Sequence, residues 1–78
     1  MKLEIITPDK KIYDGNVKSA SFQGSDGSFG VLDNHAPLVA NLIAGKIFLV
    51  EDNNNKLDFA IKGGIVEVLK NKVIVLAV

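Results

Sequence analysis

Short apolar runs rich in Val and Ile, broken by turn signals at intervals of roughly 6–12 residues, are the spacing of an all-β sandwich or barrel. Residues 2–7 alternate, with Leu3 and Ile5 on one face, and Pro8-Asp9-Lys10 turns the chain. Residues 11–13 lead into Asp14-Gly15, a turn or bulge pair. Residues 17–23 form a further strand with Ala20 and Phe22 on one face, residues 24–28 a loop, and residues 29–32 a short strand. Asp33-Asn34 makes the next turn, because Asn accepts the left-handed conformation. Pro37 cannot donate to a ladder, so it belongs at a strand start or an edge. Gly45 breaks the run from Leu38 to Ile43. The clearest hairpin joins residues 46–51 to residues 56–61 through Asp52-Asn53-Asn54-Asn55, with Ile47 and Leu49 facing Leu57, Phe59 and Ile61. Gly63-Gly64 marks a bend or a close backbone approach, and a last hairpin turns at Lys70-Asn71. Only residues 36–44 offer a helix any foothold, and Pro37 and the β-branched Val39 and Ile43 oppose it. The expectation is one all-β domain over residues 1–78, a flattened β-sandwich or barrel of about ten short strands in two packed sheets.

A strand with one wet face carries polar residues there. Three strands here do not. Phe48 and Val50 alternate with Ile47 and Leu49; Ile74, Leu76 and Val78 alternate with Val73, Val75 and Ala77; Ile65 and Leu69 offset Val66 and Val68. Apolar residues make up 47% of a 78-residue chain whose mean hydropathy is +0.24, more than a two-layer fold of this size can hide. One outer face is therefore expected to meet another protein, or a second copy of the isolated chain. The competing arrangement curls the sheets into a barrel whose ends these residues cap.

Charge removes several classes of function. Nine lysines balance nine carboxylates, which leaves no electrostatic footprint for nucleic acid or an anionic membrane, and five aromatics without Trp make a poor base-stacking platform. Without cysteine there is no disulfide and no thiolate metal site. No run reaches the ~18 apolar residues of a membrane span, and the N-terminus lacks a signal-peptide core, so a cytosolic or stromal chain is expected. Catalytic chemistry is sparse. His35 is the one candidate base, and none of Ser19, Ser21, Ser25 or Ser28 sits in a nucleophile elbow. The glycine loop is not followed by the Lys-Ser or Lys-Thr of a phosphate loop. Asp26 and Asp33 read as turn residues before calcium ligands. No cofactor and no enzyme activity are expected. Two other classes stay open: a sugar or small-ligand binder using Tyr13 with residues 53–55, and an acyl or biotinyl carrier using Pro8-Asp9-Lys10, although that lysine lies at the start of the chain and not at a mid-chain hairpin tip.

Gly24-Ser-Asp-Gly27-Ser-Phe-Gly30-Val31-Leu32, followed by His35-Ala36-Pro37-Leu38-Val39, Leu42 and Gly45, resembles the signature of the epsilon subunit of F-type ATP synthase. The tail Gly63-Gly64-Ile65-Val66-Glu67-Val68 with Asn71, Val73, Val75, Leu76 and Ala77 is similar to that family's second block, and Thr7-Pro8 with Tyr13-Asp14-Gly15 fits its opening. Asp33-Asn34 replaces a usual Pro-Gly, and Ala44 a frequent proline; both are turn-compatible. The resemblance implies a non-catalytic rotor subunit at the foot of the central stalk. It would dock the gamma subunit onto the c-ring, couple proton-driven ring rotation to ATP synthesis, and lie at the cytoplasmic face of a bacterial inner membrane before a thylakoid. It places Thr7, Ala40 and Leu42 toward gamma, and Ser28 and His35 toward the c-ring. Many members carry an acidic residue where this chain has Ser28. The family's two C-terminal helices, which inhibit ATP hydrolysis, have no counterpart before Val78, and a naturally short form is expected.

Overall fold

The computed structural model describes residues 1–78 and contains six strands and no helix: β1 (Lys2–Ile6), β2 (Lys11–Gly24), β3 (Gly27–Leu32), β4 (Leu38–Glu51), β5 (Lys56–Leu69) and β6 (Lys72–Ala77). The all-β expectation holds, but six strands, three of them 14 residues long, replace about ten short ones. The reason lies at the glycines. Gly45 pairs with Ile61, Gly63 with Ile43, and Gly64 with both Leu42 and Ala77, so the ladders run straight through the expected breaks. Gly45 (φ 157°), Gly63 (φ 150°) and Gly64 (φ 153°) adopt backbone angles that side-chain-bearing residues avoid. These angles bend β4 and β5 without ending them. Asp14-Gly15 likewise lies inside β2, opposite Glu4 and Leu3.

Bending lets each long strand serve both layers. One layer contains residues 11–16 of β2, then β1, β6, residues 64–69 of β5 and residues 38–43 of β4. The other contains β3, residues 17–24 of β2, residues 45–51 of β4 and residues 56–61 of β5. In ring order β1-β6-β5-β4-β2 closes on itself through the β1–β2 pair, and β3 is added to β2 as an extra strand. A five-strand barrel flattened to 27 × 24 × 18 Å thus reconciles the sandwich and barrel expectations.

Alternation fills the interior. Leu3, Ile5, Ala20, Phe22, Val31, Ile47, Leu49, Val66, Val68, Val73 and Val75 are all buried, and Phe22 stacks on Phe29 with ring centroids 5.5 Å apart. Each of these side chains except that of Ala20 contributes about 1.5–3 kcal/mol relative to leaving it exposed. Turn chemistry sets the register. Asn34 (φ 63°), Asn54 (φ 72°), Lys70 (φ 51°) and Asn71 (φ 60°) supply the left-handed turns at the expected places. The segment at 24–28, expected as a loop, is a tight turn of two residues between Gly24 and Gly27.

Candidate docking face and loop-end groove

Pleating decides which apolar side chains point outward. In the layer that contains β6, register aligns Ile6, Leu76, Ile65 and Asn41 in one outward row across four strands. Leu76 is 55% exposed and Ile65 45%. Beside this row stand Ile43 and Val78, both exposed, and Thr7 and Pro8 border it where β1 ends. The next row inward along the strands holds Glu4, Ile74, Glu67 and Val39. An apolar strip therefore crosses the layer from the end of β1 to the first half of β4. All three doubly apolar strands read from the sequence have one buried and one outward set, with Phe48 and Val50 lying on the opposite layer.

A charged margin borders the strip on the β1–β2 side. Lys11 Nζ lies 3.2 Å from Asp14 Oδ2 and 3.9 Å from Glu4, and Lys2 lies 3.7 Å from Asp14. Lys72 lies 3.9 Å from Glu4. The bond from Lys11 holds the Asp14 carboxyl below the usual carboxylate range. These exposed pairs add little stability but keep that edge polar. From the same stretch of β2, opposite the buried Ile5, the Tyr13 hydroxyl donates to Glu51 Oε2 at 2.7 Å, and its ring packs on Phe59 at 5.4 Å. Burial, and then the neighbouring Glu51 carboxylate, push the Tyr13 phenol up to about 12. Tyr13 is thus engaged in the barrel and is not the free aromatic a sugar site requires.

An open groove of about 520 Å³ lies between the β2–β3 turn and the start of β4. Ser28 and His35 line it, together with Asp26, Leu38, Val39 and Ala40. His35 donates its backbone N–H to Leu32 O at 3.2 Å, and its Nδ1 lies 2.7 Å from Ala36 O, as fits a turn histidine. Asp33 accepts from the Met1 amino group at 2.7 Å, and no three carboxylates or histidines gather in a metal-holding arrangement.

The residues expected at interfaces are dispersed in an orderly way. Ser28 and His35 come together at the groove. Thr7 sits at one border of the strip, where its hydroxyl and N–H bond to Lys10 O at 3.0 and 2.8 Å. Ala40 lies at the other border, half-buried and paired with the core residue Val66. Leu42 is 6% exposed and belongs to the core. The outward neighbours of these last two, Val39, Asn41 and Ile43, were not singled out from the sequence. Alternation alone reveals them once the inward positions are known.

A family model described as the ATP synthase delta/epsilon chain β-sandwich domain matches residues 1–78. An ATP synthase epsilon chain from Chlorobium limicola is 43% identical over 96% of this chain and 85% of its own length. Another, from Campylobacter jejuni subsp. doylei, is 46% identical over 99% of this chain but only 60% of its own, and the chain spans 56–60% of other such relatives. Among solved structures, a chain of the Euglena gracilis mitochondrial ATP synthase (OSCP/F1/c-ring) superposes with a TM-score of 0.87 at 23% identity, covering 96% of this chain and 48% of that one. A chain of the Tetrahymena thermophila mitochondrial ATP synthase central stalk and c-ring gives 0.80 at 21%, covering 99% of this chain and 62% of that one. At those identities the superpositions speak for the fold. With the family model spanning every residue and curated relatives above 40% identity, the chain belongs to the ATP synthase delta/epsilon chain β-sandwich family.

Proposed function

We propose that this chain is a non-catalytic rotor subunit of an F-type ATP synthase, packed by its apolar strip on the gamma subunit and resting its loop end on the c-ring. The outward row Ile6–Leu76–Ile65 carries the reading, because three large aliphatic side chains aligned on one face gain from leaving water only against a partner. Thr7 and Ala40 bound that strip, and Leu42 supports it from beneath. The side chains of Ser28 and His35 face the ring at the loop end, which leaves the outer backbone edge of β3 free for gamma. Where relatives place a carboxylate at Ser28, this chain offers a hydroxyl, so polar and backbone contacts carry more of that junction. A closed barrel with no free hinge between its layers suits torque transfer, since bending it requires breaking ladder bonds along several strands at once. The complex would hold the chain at the cytoplasmic face of a bacterial inner membrane, where proton-driven rotation of the ring would turn gamma with it.

The test is binding to gamma. Ala40 faces inward, so a charge there would disturb the fold as well as the interface. Leu76→Asp places the charge on solvent in the free chain and under the partner in the complex. Burying an unpaired charge costs about 3–5 kcal/mol, which weakens binding by two to nearly four orders of magnitude, about 10²–10⁴-fold. Phe48→Asp on the opposite layer should bind as the parent does. Equal affinities for parent, Leu76→Asp and Phe48→Asp in a pull-down or titration would remove the assignment.

A further inference from the structure

We infer that the groove between β3 and the start of β4 accepts an extended segment of the neighbouring stalk polypeptide as an added strand; this rests on the docking reading above and names how the partner continues past the strip. Gly24 and Gly27 close a two-residue turn, so they form a hydrogen-bonded pair, as do Phe22 with Phe29 and Ala20 with Val31. By alternation, Ser28, Gly30 and Leu32 direct their N–H and C=O groups away from β2. Leu32 O is taken by the N–H of His35 at 3.2 Å, whereas β3 has no strand on its outer side to meet Ser28 and Gly30.

The facing wall has the same character. Asn41 O accepts the N–H of Ser25 at 2.9 Å, which shows that Asn41 turns its backbone groups toward β3, and Val39, two residues earlier, does so too. Two rows of backbone donors and acceptors therefore look into one groove, which the Ser25–Asn41 bond pinches shut at one end. The other stretches paired on one side only, residues 11–16 of β2 and 56–61 of β5, carry Lys11 and Asp14, and Lys56 and Asp58.

Exposed edges are ordinarily guarded by lysine, proline, inward charge or a bulge. β3 reads Gly-Ser-Phe-Gly-Val-Leu, and neither it nor residues 38–45 contains a charge or a proline, although the chain has nine lysines to place. An unguarded edge is a template for another backbone. The side chains describe the occupant. Asp26 is the groove's only charged residue, so a Lys or Arg belongs opposite the turn. Val39 and Asn41 belong both to the groove and to the rows of the apolar strip, so one polypeptide covers both. It is an extended segment free of proline at its pairing positions.

Gly30→Pro removes the N–H at the open edge without touching the β2 ladder, and Gly30→Ala keeps it. Space exists for the added carbon, since a Cβ on Gly30 meets nothing closer than Ala20 O at 3.8 Å. In titrations against purified gamma, Gly30→Ala should bind within twofold of the parent and Gly30→Pro at least tenfold more weakly, with both melting cooperatively. Amide exchange of the complex should show Ser28, Gly30 and Val39 newly protected, and this readout decides the matter if Gly30→Pro does not fold. If Gly30→Pro binds normally and these amides exchange as in the free chain, while Leu76→Asp still abolishes binding, the added strand is wrong and the docking face stands. If the unaltered chain does not bind gamma, both fall.

Discussion

At Gly64 the backbone of β6 leaves no room for a side chain on β5, and replacing it by alanine tests this close approach. A Cβ built there would lie 2.3 Å from Leu76 O and 3.0 Å from Ala77 Cα, both backbone atoms of the adjacent strand. The φ of +153° adds strain for any L side chain, about 1–3 kcal/mol. Relieving the clash needs overpacking shifts of roughly another 1–3 kcal/mol. Separating the strands also endangers the neighbouring bonds Lys62 N–H to Val78 O (3.1 Å) and Val78 N–H to Gly63 O (3.0 Å). A loss of about 2–6 kcal/mol compares with a total stability of roughly 4–12 kcal/mol for a chain of this length. Urea unfolding followed by far-ultraviolet circular dichroism suits a protein without Trp. At a slope near 1 kcal/mol per molar, the midpoint should fall by about 2 M or more. Three further alanine substitutions separate the causes. Gly27 has φ +124° with open space around it and reports strain alone; Gly63 adds Leu42 O at 3.3 Å to a φ of +150°; Gly30 has neither problem. The expected order of destabilisation is Gly64, Gly63, Gly27, Gly30. A Gly64→Ala midpoint no lower than that of Gly27→Ala would refute the close β5–β6 approach and the account of the bend built on it.

The raised Tyr13 pKa makes stability fall in alkali. Above pH 10 the unfolded chain ionises its tyrosine while the folded one keeps the proton up to about pH 12, so the stabilisation is complete below pH 10 and lost across that interval. Ultraviolet titration should find the phenol midpoint near 12, and Glu51→Gln should lower it; a midpoint of 10 in the folded parent would contradict the Tyr13–Glu51 bond. Lys70 carries a side chain at φ 51°, so Lys70→Gly should stabilise the last hairpin by up to about 1 kcal/mol, raising the melting temperature by about 4–8 °C. A lower melting temperature would show that the turn is not left-handed there.

Hairpins, turns and inward faces were legible because each depends on neighbours in sequence. Asn34, Asn54 and Asn71 mark left-handed turns, and Leu3, Ile5, Ala20 and Phe22 reveal their faces by simple alternation. Gly63-Gly64 reads rightly as a bend or close approach, whereas Gly45 misled for a definite reason. A glycine that ends a strand and one that bends it have the same local signature, and only the partner strand running through decides between them. Of the expected interface residues, Ser28 is exposed, Thr7, His35 and Ala40 are half-buried, and Leu42 is in the core. Their outward neighbours differ from them by one position, the distance that separates the two faces of a strand.

The order of apolar and polar residues, with its surplus of Ile, Leu and Val, was enough to require a β fold with more greasy surface than its interior could hold. Which of those side chains would gather into one strip was decided by tertiary pairing. Ile65 and Leu76 face each other across the last hairpin, but Ile6 is far from both in the chain and joins them only because β1 pairs with β6 in parallel in one particular register. The same pairing closes the ring and leaves β3 as its one extra strand, so the open edge, like the strip, is a property of how strands meet and of no segment by itself.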